Sequence, residues 1–262
     1  MNIYNLNRDK ILYFFLLFLE KVSVLVFHFY FINKIAQEFY GVFSQSNYIS
    51  GLVSNILLFG VAIPFVINSA SRNKHQDELL RFFKNLSLFV SFILIVLGLI
   101  FGNFFSDLIF GDSSYKVYLF VLGLLIVSDI ISEYFNLFNR IRSNLITHSK
   151  FIFFRSLVRI IFLIIPYVIF EDFLLAYLIS SISYILFVIV FSRKAIGIIS
   201  FNFMHLSYFK NRSVKNLFRD GTNFLTLFLL NTFSTLLINL ILVNQFNVET
   251  LAIYSFNMML AS

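Results

Sequence analysis

The feature that most constrains this chain is a succession of apolar runs, each about as long as a lipid bilayer is thick. A helix rises 1.5 Å per residue, so about 20 apolar residues cross roughly 30 Å of hydrocarbon. Runs of this kind occupy residues 11–32, 41–68, 85–101, 117–138, 151–170, 173–191 and 223–243. An eighth opens near Thr250 and has about twelve residues before Ser262, too few to cross, so the sequence is expected to be a piece of a longer protein. Charged residues make up 13% of the chain and hydrophobic ones 59%, against roughly a quarter charged in a soluble domain. The expected fold class is therefore an all-α polytopic membrane protein.

Lys and Arg set the orientation. With the N-terminus in the cytoplasm, fifteen of them fall in cytoplasmic segments, and only Lys34 and Lys116 fall outside. Basic residues collect on the cytoplasmic side of inner-membrane proteins, so a multi-pass inner-membrane protein with a cytoplasmic N-terminus is expected. The net charge of +7 then belongs to loops at a membrane surface and implies no nucleic-acid partner. Residues 1–10 are polar, and no small-residue cleavage site follows, so the first run is read as an anchor.

The absence of cysteine excludes thiolate catalysis, disulfides and Cys-ligated metals. No two of the four histidines lie within five residues of each other, so no local His-based metal motif exists. Neither a phosphate-binding Gly-rich loop with Lys-Ser/Thr nor a Gly-x-Ser-x-Gly elbow occurs. No catalytic residue and no cofactor is expected; the chain reads as a transporter rather than an enzyme.

An internal repeat appears when the chain is shifted by 211 residues, aligning 6–51 with 217–262. Arg8-Asp9 matches Arg219-Asp220, Ser23 matches Ser234, Asn33 matches Asn244, Glu38 matches Glu249 and Ser44 matches Ser255. A unit of six spans is even, so both copies start on the same side and form a parallel repeat. The expected layout is a six-helix bundle over 1–200, a basic cytoplasmic linker over 201–222, and the first spans of a truncated second bundle over 223–262.

Two stretches carry a family likeness. Glu38-Phe39-Tyr40-Gly41-Val42-Phe43-Ser44, followed by a span with Gly60 and Pro64, resembles the first-half signature of polysaccharide flippases. Glu249-Thr250-Leu251-Ala252-Ile253-Tyr254-Ser255 resembles its second-half counterpart. The likeness is to Wzx-type O-antigen flippases, within the superfamily that also holds multidrug extruders. It implies a carrier of twelve or more spans that works by alternating access. The implied cargo is an undecaprenyl-diphosphate-linked oligosaccharide, an O-antigen or capsule repeat unit, flipped from the inner to the outer leaflet. Membrane lipid and other polysaccharide-assembly proteins are the remaining expected partners. A cation-coupled multidrug extruder and a non-functional remnant are the alternatives.

Charges inside the spans are the candidate site residues, because a charge at the bilayer centre costs about 2.5–3.5 kcal/mol to insert and is kept for a reason. Asp129 and Glu133 share a face of the fourth span, and Arg155 and Arg159 share a face of the fifth. Their depths match, which predicts the pairs Glu133–Arg155 and Asp129–Arg159. Either these form a structural ladder, or the arginines face a cavity and hold a diphosphate through forked hydrogen bonds. In the first span, Lys21 is a second candidate phosphate contact, and Glu20 is a candidate for ion coupling. His28 reads as a packing residue. Asn231, at the repeat position of Glu20, and Asn239 are candidates for cross-helix bonds or sugar contacts. Pro64 and Pro166 lie inside spans, where proline bends a helix, and are candidate hinges.

Overall fold

The computed structural model describes residues 3–57, 84–85, 89–90, 92–93, 96–98, 100–141, 144–196 and 212–261. Among these every regular element is helical. The elements are α1 (Ile3–Lys34), α2 (Gln37–Leu57), α3 (Gly102–Phe110), a 3-10 turn at Ser113–Tyr115, α4 (Lys116–Ile141), α5 (Leu145–Phe170), α6 (Phe173–Ile196), α7 (Arg212–Gln245) and α8 (Val248–Ala261). The residues described between 84 and 98 are helical as well.

Local chemistry sets the helix ends. The Asn144 side chain accepts the Thr147 N–H and caps α5, which starts six residues before the expected span. Glu171 closes α5 in the left-handed region, and its N–H reaches the Tyr167 carbonyl at 2.9 Å. One residue on, the Asp172 carboxylate accepts the Leu175 N–H at 3.0 Å and opens α6. The Asn247 side chain does the same for Thr250 of α8, at 2.8 Å. Pro166 lies buried within α5, which continues past it to Phe170.

Two boundaries differ from expectation. The segment 102–116 holds a short helix, α3, closed by Gly111 at φ 77°, where a residue without a Cβ meets no steric penalty. Helix α7 begins at Arg212, so the second half of the expected linker is its first turns. No proline interrupts the run from Arg212, and Gly221 alone is too weak a breaker, at about 1 kcal/mol, to stop a helix of this length.

The helices pack in sequence around α2. Helix α1 lies on α5, α5 on α6, α6 on α4, α4 on α2, α2 on α8, and α8 on α7. The core is aromatic: Phe31, Tyr40, Phe151, Phe173, Tyr177 and Tyr184 are all buried. Phe27 stacks on Phe31 at 4.8 Å, and Phe39 on Phe173 at 4.9 Å. The outside is apolar too, with Phe14, Phe18, Ile169 and Val190 largely exposed on long helices. So much exposed apolar surface is stable only against lipid or another apolar partner.

Four helical segments among the described residues are long and apolar enough to cross a membrane: Asp9–Lys34, Ser113–Arg140, Leu145–Phe170 and Phe173–Arg193. The chain thus has the make-up of an all-α membrane protein. Helix α2 is more polar for a structural reason. It carries Gln45, Ser46, Ser50 and Ser54, all buried against other helices and away from any lipid face.

The helix boundaries follow the repeat offset. Helix α1 ends at Lys34 and α7 at Gln245, and α2 opens at Gln37 and α8 at Val248, in each case 211 residues apart. The two openings also meet. A Cβ on Gly41 would stand 2.1 Å from the Val248 carbonyl oxygen, so the α2–α8 crossing depends on glycine for its close approach.

Candidate functional site

A cavity of about 590 Å³ lies between α1, α2, α5, α7 and α8. It falls within the 300–1,000 Å³ usual for ligand sites. Its walls divide chemically. Helices α1 and α5 supply its ionisable groups, Glu20, His28, Arg155 and Arg159. Helices α2, α7 and α8 supply neutral polar groups, among them Asn47, Tyr48 and Ser255.

Residues 211 apart line this cavity together. Val24 and Thr235 come from α1 and α7, as do His28 and Asn239, while Ser44 and Ser255 come from α2 and α8. Positions related by the 211-residue offset thus share one space.

Arg159 lies about 21 Å along α5 from Leu145 and about 16 Å from Phe170, too deep for its head to reach either end. Its guanidinium donates to the Asn47 side-chain oxygen and sits over the Tyr184 ring, 5.0 Å from the centroid. Its own carbonyl accepts from Ser180 at 2.9 Å. Arg155, one turn away, donates to the Ser132 hydroxyl at 3.2 Å. Both arginines line the cavity, and their hydrogen-bond partners, Asn47 on the lining and Ser132 outside it, are neutral.

The predicted carboxylate pairs do not form. Among the ion pairs of the described residues, neither Glu133–Arg155 nor Asp129–Arg159 occurs. Asp129 instead accepts from Ser50 at 2.5 Å and from the Tyr184 hydroxyl at 2.7 Å. Glu133 accepts from Asn136 at 3.3 Å. The physical reason is a layer of hydroxyl groups between the charges: Tyr184 stands between Asp129 and Arg159, and Ser132 takes the Arg155 donor. Matched depth along two helices does not bring two side chains to the same azimuth.

Glu20 is buried, 8% exposed, on the cavity wall, and it accepts from Ser156 of α5 at 3.1 Å. Its other oxygen is 3.7 Å from the Lys21 ammonium. The Lys21 side chain is 82% exposed and lies outside the lining, so the cavity wall does not include it. His28 bonds to the Tyr40 hydroxyl at 2.9 Å, as a packed histidine does, and also borders the cavity. Asn239 of α7 donates to Gln45 of α2 at 3.3 Å, a cross-helix bond of the kind read from sequence. Asn231 lies on α7, and its side chain falls outside the described residues, as does Pro64. Sequence reasoning missed Asn47, Ser132, Ser156 and Tyr184. For α2 a signal existed: Ser44, Asn47 and Ser50 recur every three residues, marking an inward polar stripe.

In the stretch Glu38–Ser44, Ser44 lines the cavity, while Glu38 accepts from the Tyr115 hydroxyl at 2.5 Å and joins α2 to the turn before α4. Among the described residues no three His, Asp or Glu side chains converge on a point that would hold a metal ion. Fold and site together define a helical membrane protein with an internal cavity lined by two arginines, a glutamate and a histidine. No family model, no curated protein and no solved structure matches the chain.

Proposed function

We propose that this chain belongs to a carrier that moves a diphosphate-linked oligosaccharide lipid from the inner to the outer leaflet of the bacterial cytoplasmic membrane by alternating access. One observation carries the reading. Two guanidinium groups line an internal cavity, and neither is in contact with a carboxylate among the described residues. A guanidinium inside a membrane protein with no carboxylate in contact keeps its hydrogen-bond donors open to an anionic ligand, which gains more from them there than in water. Guanidinium matches phosphate oxygens through two parallel N–H donors, and Arg155 and Arg159 stand one turn apart on the same face.

The amides and hydroxyls that α2, α7 and α8 add to the lining suit sugar. Equivalent positions 211 residues apart support the parallel repeat, with six spans per unit as its proposed size and α7 and α8 beginning the second bundle. Pro166 is the proposed hinge within α5. The proposed orientation, with a cytoplasmic N-terminus, rests on the basic loops.

Arg159→Ala in the intact gene is expected to abolish surface polysaccharide in a deletion strain while the protein remains in the membrane. Full complementation by R159A would remove the reading. A cation-coupled drug extruder is the second reading, favoured by Glu20 and the aromatic lining of Phe27, Phe43 and Tyr254. It predicts drug sensitivity on deletion with normal polysaccharide. A non-functional remnant predicts neither phenotype.

A further inference from the structure

We infer that Tyr184 is a positioning residue for the anion site: it holds the Arg159 guanidinium flat against the cavity wall, and it links that charge to Asp129 without using up a guanidinium donor. The inference rests on the proposed anion-binding reading of the cavity and concerns a residue outside its lining.

Tyr184 is fully buried on α6 and has two functional surfaces. Its ring face lies under Arg159, 5.0 Å from the guanidinium carbon. Its hydroxyl donates to Asp129 at 2.7 Å and lies 3.4 Å from the Ser132 oxygen, the same oxygen that accepts from Arg155. Ser50 completes the arrangement by donating to the other Asp129 oxygen at 2.5 Å. One phenol thus connects α4 and α5 and stands behind both arginines of the wall.

The chemistry explains why a phenol belongs here. A carboxylate in direct contact with Arg159 would occupy its fork and compete with any incoming phosphate. Removing every anion would leave two arginines uncompensated in a medium of low dielectric. Tyr184 resolves the conflict. The negative charge of Asp129 balances the arginines from a distance, and donation of the hydroxyl to a carboxylate raises the electron density of the ring that faces Arg159. The guanidinium is held by its face and by Asn47, so its remaining N–H groups are free to point into the cavity. A guanidinium already fixed in place also loses less rotamer freedom when a ligand binds.

The test uses the purified intact protein in lipid nanodiscs with inorganic pyrophosphate as the probe, titrated calorimetrically. Wild type is expected to bind, and Tyr184→Leu, which removes ring face and hydroxyl, to bind about tenfold more weakly. Tyr184→Phe keeps the ring and is expected to restore affinity to within about threefold of wild type. A structural role alone would move the thermal midpoint without this ordered rescue. Should Y184L not fold, Tyr184→Met fills a similar apolar volume without an aromatic face, and the same tenfold loss is expected. Binding by Y184L or Y184M within twofold of wild type overturns the positioning role and leaves the anion site intact. Failure of wild type itself to bind pyrophosphate overturns both.

Discussion

Asp129 shows how a part-buried charge is held when no cation touches it. Two hydroxyl donors, Ser50 and Tyr184, approach its two oxygens at 2.5 and 2.7 Å. Hydrogen bonds to a charged acceptor are worth about 1.5–3 kcal/mol each, and losing the acceptor leaves both donors unsatisfied. Asp129→Ala is therefore expected to destabilise the protein by about 2–4 kcal/mol, read as a lower thermal midpoint in detergent. Asp129→Asn keeps one acceptor oxygen and should lose less; equal midpoints for D129A and wild type would count against the network. Arg159 belongs to the same scale, but its loss should be felt in transport, because its partners are neutral and survive its removal. R159A is thus expected to keep its fold and lose polysaccharide export, the reverse of D129A, where the fold suffers first.

At the scale of elements, the crossing of α2 and α8 depends on glycine. At Gly41 a methyl group would lie 2.1 Å from a backbone oxygen, and backbone does not yield as a flexible side chain does. Ala252, the repeat position of Gly41, is also fully buried on α8. Small residues on both helices allow close approach, which is how helices associate where lipid removes the hydrophobic incentive. Gly41→Ala is expected to force α2 and α8 apart and to cost about 1–3 kcal/mol. A lowered thermal midpoint checks this, with Gly51→Ala, which meets nothing within 4 Å, as the silent control. Unchanged midpoints in both variants would mean that the crossing is looser than drawn.

For the whole molecule, the open question is which surface faces water. The chain contains no cysteine, so single introduced cysteines report their surroundings without background. Thr235→Cys, on the cavity wall, is expected to react with a membrane-impermeant maleimide and to be protected by pyrophosphate. Leu186→Cys is on the exposed apolar face of α6 and is expected to stay unlabelled, because lipid keeps both the reagent and the thiolate away. Labelling at 186 with none at 235 would reverse the assignment of inside and outside. Export of a charged cargo through α1, α2, α5, α7 and α8 requires the first pattern.

Much of this organisation was already legible in one dimension. Runs of apolar residues placed α1, α4, α5 and α6, because crossing hydrocarbon demands length and apolarity, and both are properties of a string. The 211-residue offset was legible for the same reason, and His28 with Asn239 shows it carried into the cavity wall. The places of Arg155 and Arg159 along α5, one turn apart, followed from counting. What counting could not supply was azimuth and the third partner. Glu133 and Arg155 share a depth, yet Ser132 meets the arginine, and Tyr184 from α6 stands between Asp129 and Arg159. Lys21, adjacent to Glu20 in sequence, turns away from the cavity that Glu20 lines, because neighbouring helical residues point about 100° apart. Sequence by itself therefore determined that the chain is a helical membrane protein and how far along its helix each charge lies. Only tertiary structure decided which charges touch and which are kept apart, because that depends on the rotation of each helix and on residues from a third helix that no local pattern connects.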